Sequence, residues 1–90
     1  MTNTEELREM IKNIDQEIIE LIATRLEIAD ELAEAKKASH QDKWDSSVER
    51  EIIARYKMLC EEVALSEEEA EHIAKVILKI SRERQNRHFK

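Results

Sequence analysis

Seven polar side chains have the types and spacing to hold a small anion and act on it: Arg8, Arg25, Lys36, Asp45, Glu49, Ser81 and Gln85. Arg25 and Lys36 come first, because they stand on a face where a core would want Leu or Ile. Leu7, Ile11, Ile14, Ile18, Leu21, Ile28 and Leu32 recur every three or four residues, the mark of one helix face. Arg25 fills the slot between Leu21 and Ile28. Lys36 follows 11 residues later, so at about 100° per residue the two cations point within about 20° of each other. A cation on an apolar face is costly unless an anion meets it. Asp45/Glu49 and Ser81/Gln85 are i, i+4 pairs, and each pair shares a face. Arg8 and Arg25 are 17 residues apart, about 25 Å along a helix axis. One small ligand cannot touch both on the same chain. In an antiparallel dimer the partner's Arg8 approaches this chain's Arg25. Cations from two chains suit a small dicarboxylate, because Arg grips a carboxylate bidentately.

Three helices are expected to position these groups. The first starts near Thr2 to Thr4, with Thr2 and Glu5 as a capping box, and runs to about Ala38. Residues 39–45 break the pattern and read as a loop, which Trp44 anchors by burying its ring. The second helix begins at Ser46 or Ser47, turns Val48, Ile52, Ile53, Tyr56 and Leu59 inward, and fades near Val63 and Ala64. Ser66 with Glu69 forms another capping box and opens the third helix. That helix is expected to bury Ile73, Val76, Ile77 and Ile80 and to fray after Asn86.

Composition narrows the class. Ninety residues suit one small domain, residues 1–90. Gly and Pro are absent, so nothing punctuates a helix and no tight turn with positive φ is favoured. With 41% hydrophobic and 40% charged residues in periodic order, the chain is too apolar for disorder and reads as all-α. A net charge of −6 argues against nucleic acid. The basic run Lys79, Arg82, Arg84, Arg87 and Lys90 reads as a helix C-terminus complementing its dipole. Cys60 is the single cysteine, which fits a reducing compartment. Cys60, His40 and His72 lack metal-ligand spacing, so no metal is expected. No signal region and no membrane span are visible, and a cytoplasmic location is expected. A compact chain of this length has a radius of gyration near 12 Å. A first helix of about 51 Å cannot bury its stripe against two shorter helices in such a body. A homodimer with pairing or crossing long helices is therefore expected.

Leu7-Arg8, Lys12-Asn13-Ile14-Asp15, Leu21-Ile22, Arg25 and Ala35-Lys36 resemble, in that register, the all-helical class of chorismate mutases. So do Asp45 with Glu49 and Ser81 with Gln85. The register from Arg8 to Gln85 is similar to that of the short bacterial members without a gap. Each piece is weak alone; seven polar positions in register across three helices form a strong joint signal. The resemblance implies an intertwined six-helix homodimer, three helices per chain, with two identical sites. It implies the Claisen rearrangement of chorismate to prephenate, the branch step toward Phe and Tyr, without a cofactor. By position, Arg25 and the partner's Arg8 clamp carboxylates. Lys36 and Gln85 donate to the ether oxygen, and Lys36 also lies near a carboxylate. Glu49 accepts the ring hydroxyl, the backbone around Asp45 helps to place it, and Ser81 adds a hydrogen bond to a carboxylate.

One position departs from the family pattern. The family usually has Arg just before the second-helix Glu, and here Val48 stands there. Arg50, two residues on, points about 200° away. Two other readings stay open. One is an isochorismate-pyruvate lyase of the same fold, against which Gln85 at the ether-oxygen position weighs. The other is a non-catalytic helical dimer, in which Arg25 and Lys36 snorkel at a stripe edge, Asp45 only caps, and Ser46 with Glu49 forms a capping box.

Overall fold

The computed structural model describes residues 3–41 and 44–88, and these form three helices: α1 (Thr4–Ala38), α2 (Ser46–Glu62) and α3 (Glu67–His88). No strand occurs among the described residues. None of these helices is long and apolar enough to cross a membrane.

Local chemistry sets each helix end. α1 begins within the expected range, but its cap is Asn3, whose Oδ1 accepts the Glu6 N–H at 2.9 Å. Thr2, expected to cap, lies outside the described residues. Glu5 and Glu6 sit in the first turn and Lys36 and Lys37 in the last, matching the helix dipole. Asp45 caps α2 by accepting the Ser47 N–H at 2.9 Å and the Ser47 hydroxyl at 2.6 Å. The Ser46–Glu49 box of the alternative reading is not seen; Glu49 instead accepts from Trp44 and Arg82. The Ser66–Glu69 box does form. Ser66 N–H donates to Glu69 Oε1 at 2.8 Å, and Glu69 N–H donates to Ser66 Oγ at 3.1 Å.

Two helix C-termini close in the same way, against the expectation that a chain without glycine avoids positive φ. His40 (φ 57°) and Ala64 (φ 61°) follow the last residues of α1 and α2. Gln41 N–H then donates to Lys36 O at 2.8 Å, and Leu65 N–H to Cys60 O at 2.9 Å. These are Schellman closures, which satisfy carbonyls that a frayed end leaves open. The hydrogen bonds outweigh the roughly 1–2 kcal/mol that a Cβ costs in the left-handed region.

α3 packs against both α1 and α2, whose backbones do not approach each other closely. Its packed face is Ala70, Ala74, Leu78, Ser81 and Gln85, all buried. These recur every three or four residues, and the two alanines let the helices come close. This corrects the expected core. Ile73, Val76 and Ile80 are exposed, and only Ile77 is half-buried. At about 100° per residue the three exposed residues lie about 100–160° around α3 from the centre of the packed face. On α2, Ile52, Ile53 and Tyr56 are half-buried, Cys60 is buried, and Val48 and Leu59 are exposed, contrary to expectation. α1 turns Ile22, Leu26, Ala29 and Ala33 toward the rest of the chain. That face lies about 80° from the centre of the long apolar stripe. The stripe members Leu7, Ile11, Ile14, Ile18, Leu21 and Ile28 are 47–70% exposed. The chain is accordingly extended, 58 × 23 × 15 Å with a radius of gyration of 16.4 Å, against about 12 Å for a compact body of this length. Arg84 ties α3 to α1 by donating Nε to Asp30 Oδ1 at 3.2 Å and pairing a second nitrogen with Oδ2. Donating to the Asp30 carboxylate holds the Arg84 guanidinium above its ordinary pKa.

Candidate functional site

Where α1, α2 and α3 meet, they leave one cleft lined by Arg25, Leu32, Lys36, Glu49, Ser81 and Gln85, among others. Its empty volume, counting the open solvent at the mouth, is about 530 Å³. Each helix contributes through its periodicity. α1 sends Arg25 and Lys36 from the side of its stripe that borders the packed face. The start of α2 brings Asp45, Val48, Glu49 and Ile52, and α3 brings Leu78, Ser81 and Gln85. Six of the seven polar residues singled out in the sequence thus border one space: Arg25, Lys36, Asp45, Glu49, Ser81 and Gln85. The seventh, Arg8, is exposed on α1, about 25 Å along the axis from Arg25, and is not part of this cleft.

The contacts inside the cleft are few and directed. Arg25 Nη1 donates to Ser81 Oγ at 3.2 Å, which leaves the rest of a five-donor guanidinium for a ligand. Ser81 and Gln85 are each only 7% exposed. Gln85 Oε1 is buried and has no hydrogen-bond partner among the described residues. A buried polar atom left unpaired is expensive, so Gln85 Oε1 adds nothing to the stability of the fold. The Asp45 carboxyl is held below its ordinary pKa by the Ser47 hydroxyl first, then by backbone N–H groups and the charge of Lys36. It stays ionised as the cap of α2.

Sequence reasoning missed part of the surroundings. Trp44 lines the cleft rather than only anchoring its loop, and its Nε1–H donates to Glu49 Oε2 at 2.7 Å. Arg82 donates to the same oxygen at 2.7 Å, and its guanidinium lies 4.6 Å from the centre of the Trp44 ring. By sequence alone Arg82 belongs to a basic helix end. The available signal was its place next to Ser81, in a chain whose Val48 brings no cation from α2. Arg50, the nearest basic residue to Val48, is exposed and not part of the cleft. The apolar walls Ala29, Leu32, Val48, Ile52 and Leu78 were not singled out for the site either. Such residues carry no chemical signature until a cleft surrounds them.

Two cations, a hydroxyl and an amide therefore border one apolar-walled space together with two carboxylates, Asp45 and Glu49. Such a set can hold a small polar anion and present donors to charge developing on it. No curated protein and no solved structure matched the chain. The chorismate mutase type II family does match it, over residues 7–86, a span that takes in every polar residue of the cleft as well as Arg8, and the chain belongs to that family.

Proposed function

We propose that the protein is a chorismate mutase that acts as a homodimer and rearranges chorismate to prephenate. The reaction is an intramolecular [3,3] shift: the ether C–O bond breaks as a C–C bond forms, with no covalent intermediate and no net proton transfer. The chain's task is to hold a compact, chair-like conformer and to stabilise negative charge gathering on the ether oxygen. The observation that carries the reading is the cleft itself, with Arg25, Lys36, Glu49, Ser81 and Gln85 all bordering it.

In this reading Arg25 grips one carboxylate and Ser81, already bonded to it, adds a hydrogen bond. Lys36 and Gln85 donate to the ether oxygen, and the unpaired Oε1 of Gln85 leaves its amide free to turn toward a ligand. Glu49 accepts the ring hydroxyl beside the backbone at Asp45. The second carboxylate meets the partner's Arg8. This requires the two long helices to run antiparallel. The two-fold axis then passes midway between positions 8 and 25, near residues 16 and 17, with Ile14 and Ile18 close to it. The exposed stripe of α1 and the second apolar face of α3 support such an assembly, since large exposed apolar patches mark interaction surfaces.

The test is to follow loss of chorismate absorbance with purified protein, with and without a bicyclic transition-state analogue, and to offer isochorismate in parallel. Turnover of chorismate blocked by the analogue supports the mutase. Pyruvate release from isochorismate alone assigns the lyase instead. An inert scaffold binds neither, and keeps or gains stability on Arg25→Ala and Lys36→Ala.

A further inference from the structure

We propose that Arg82 is a positioning residue for Glu49. Together with Trp44 it clasps one oxygen of the Glu49 carboxylate and leaves the other to accept the substrate's hydroxyl. This rests on the mutase reading for what the second oxygen meets, but not for the clasp.

The two donors converge on a single atom. Trp44 Nε1–H and an Arg82 Nη2–H each reach Glu49 Oε2 at 2.7 Å, while Oε1 accepts no hydrogen bond among the described residues. Glu49 borders both the cleft and a neighbouring surface groove that holds Arg82, Lys75 and Lys79. Arg82 borders only the groove, so it reaches Glu49 from outside the cleft and touches no ligand within it. Its guanidinium also lies over the Trp44 ring, 4.6 Å from the centroid, a cation–π contact. Three segments are joined in this way: the loop before α2, the first turn of α2, and α3.

Two bland readings of Arg82 are weaker. A helix-dipole role falls off within the last turn, and Arg82 lies six residues before the end of α3 at His88. A stabilising ion pair is a poor account too, because the Arg82 side chain is 51% exposed and that of Glu49 26%, and exposed pairs add little to stability. Positioning gives the contact a purpose. A carboxylate with both oxygens free rotates about its last bond, whereas one pinned oxygen fixes the direction of the other. Charge points the same way. Within the chain, Arg25 and Lys36 are matched by Asp45 and Glu49, which leaves the cleft nearly neutral toward a dianion. Arg82 offsets the charge of Glu49 without occupying ligand space.

The experiment compares Arg82→Leu, Arg82→Lys, Glu49→Gln and the Arg82→Leu/Glu49→Gln double variant. Arg82→Leu should lower kcat/KM by about ten- to a hundredfold, as expected for losing a charge-assisted hydrogen bond, with the thermal midpoint little changed. Arg82→Lys should restore part of the loss. In the Glu49→Gln background, removal of Arg82 should cost little more, since its partner is already altered. Losses that multiply in the double variant overturn the proposal. A separate readout needs no activity: Trp44 is the only tryptophan, so acrylamide quenching of its emission reports the clasp. Quenching should rise in Arg82→Leu. An unchanged slope overturns the clasp whether or not chorismate is turned over, while an inactive wild type with a rising slope sinks only the functional reading.

Discussion

Mixing two inactive variants offers the sharpest test of a site shared between chains. Arg8 and Arg25 lie on one continuous helix, about 25 Å apart along its axis. No small dicarboxylate spans that distance, so a site using both must draw them from different chains. Each of Arg8→Ala and Arg25→Ala removes one charged donor, which should cost about 2.7–4 kcal/mol, or about 10²–10³ in rate. Each variant alone is then nearly silent. If the two are mixed and allowed to exchange subunits at random, about half of the dimers carry one chain of each kind. In such a hybrid one site receives both alanines and the other receives neither. The mixture should therefore recover about one quarter of the wild-type rate per chain. The assay is loss of chorismate absorbance after co-refolding equal amounts, with each variant refolded alone as control. A mixture no more active than its parents refutes the reasoning, because it means Arg8 and Arg25 do not meet across an interface. An Arg8→Ala variant with full activity refutes it as well.

Ile14 and Ile18 should lie close to the two-fold axis, and burying the still-exposed half of an Ile contributes about 1 kcal/mol, counted twice in a symmetric dimer. Ile14→Asp or Ile18→Asp should raise the dimer dissociation constant at least about tenfold and lower activity in parallel, as seen by sedimentation equilibrium; an unchanged dimer contradicts the interface. Gln85→Leu removes the unpaired buried oxygen while roughly keeping volume, so its thermal midpoint should hold or rise while the rate falls by about 10²–10³; retained activity argues against the amide as a donor. Asp45 has a folded pKa below its ordinary 3.8, so its cap stabilises fully above that value and fades as pH falls through the lower folded value. The difference in urea midpoint between wild type and Asp45→Ala should accordingly be constant near neutrality and shrink in acid, and a pH-independent difference would show that the charge plays no part. Ala64 holds φ at 61°, so Ala64→Gly should stabilise by about 0.5–1 kcal/mol after the added freedom of the unfolded chain is subtracted; a loss of stability in urea melts counts against the strain at that turn.

The three helices and most of their boundaries were legible in the chain itself. So was the oddity of Arg25 and Lys36 on an apolar face. These follow from a period of 3.6 residues and from caps such as Ser66 with Glu69, which are settled by neighbours a few residues away. Six polar residues of the cleft were legible through their joint register with a known family, since Ser81 and Gln85 taken alone read as ordinary surface residues and Asp45 as a cap. Tertiary structure decided what local spacing leaves open. α3 carries two apolar faces, and periodicity alone favoured Ile73, Val76 and Ile80. Packing chose Ala70, Ala74 and Leu78, because small side chains let one helix approach two others. Glu49 had an equally good local partner in Ser46, yet it is held by Arg82, 33 positions away. Arg84 likewise finds Asp30 across 54 positions. Such pairings depend on which faces the folded chain brings together, and on the tightness with which Schellman closures at His40 and Ala64 turn it from one helix into the next.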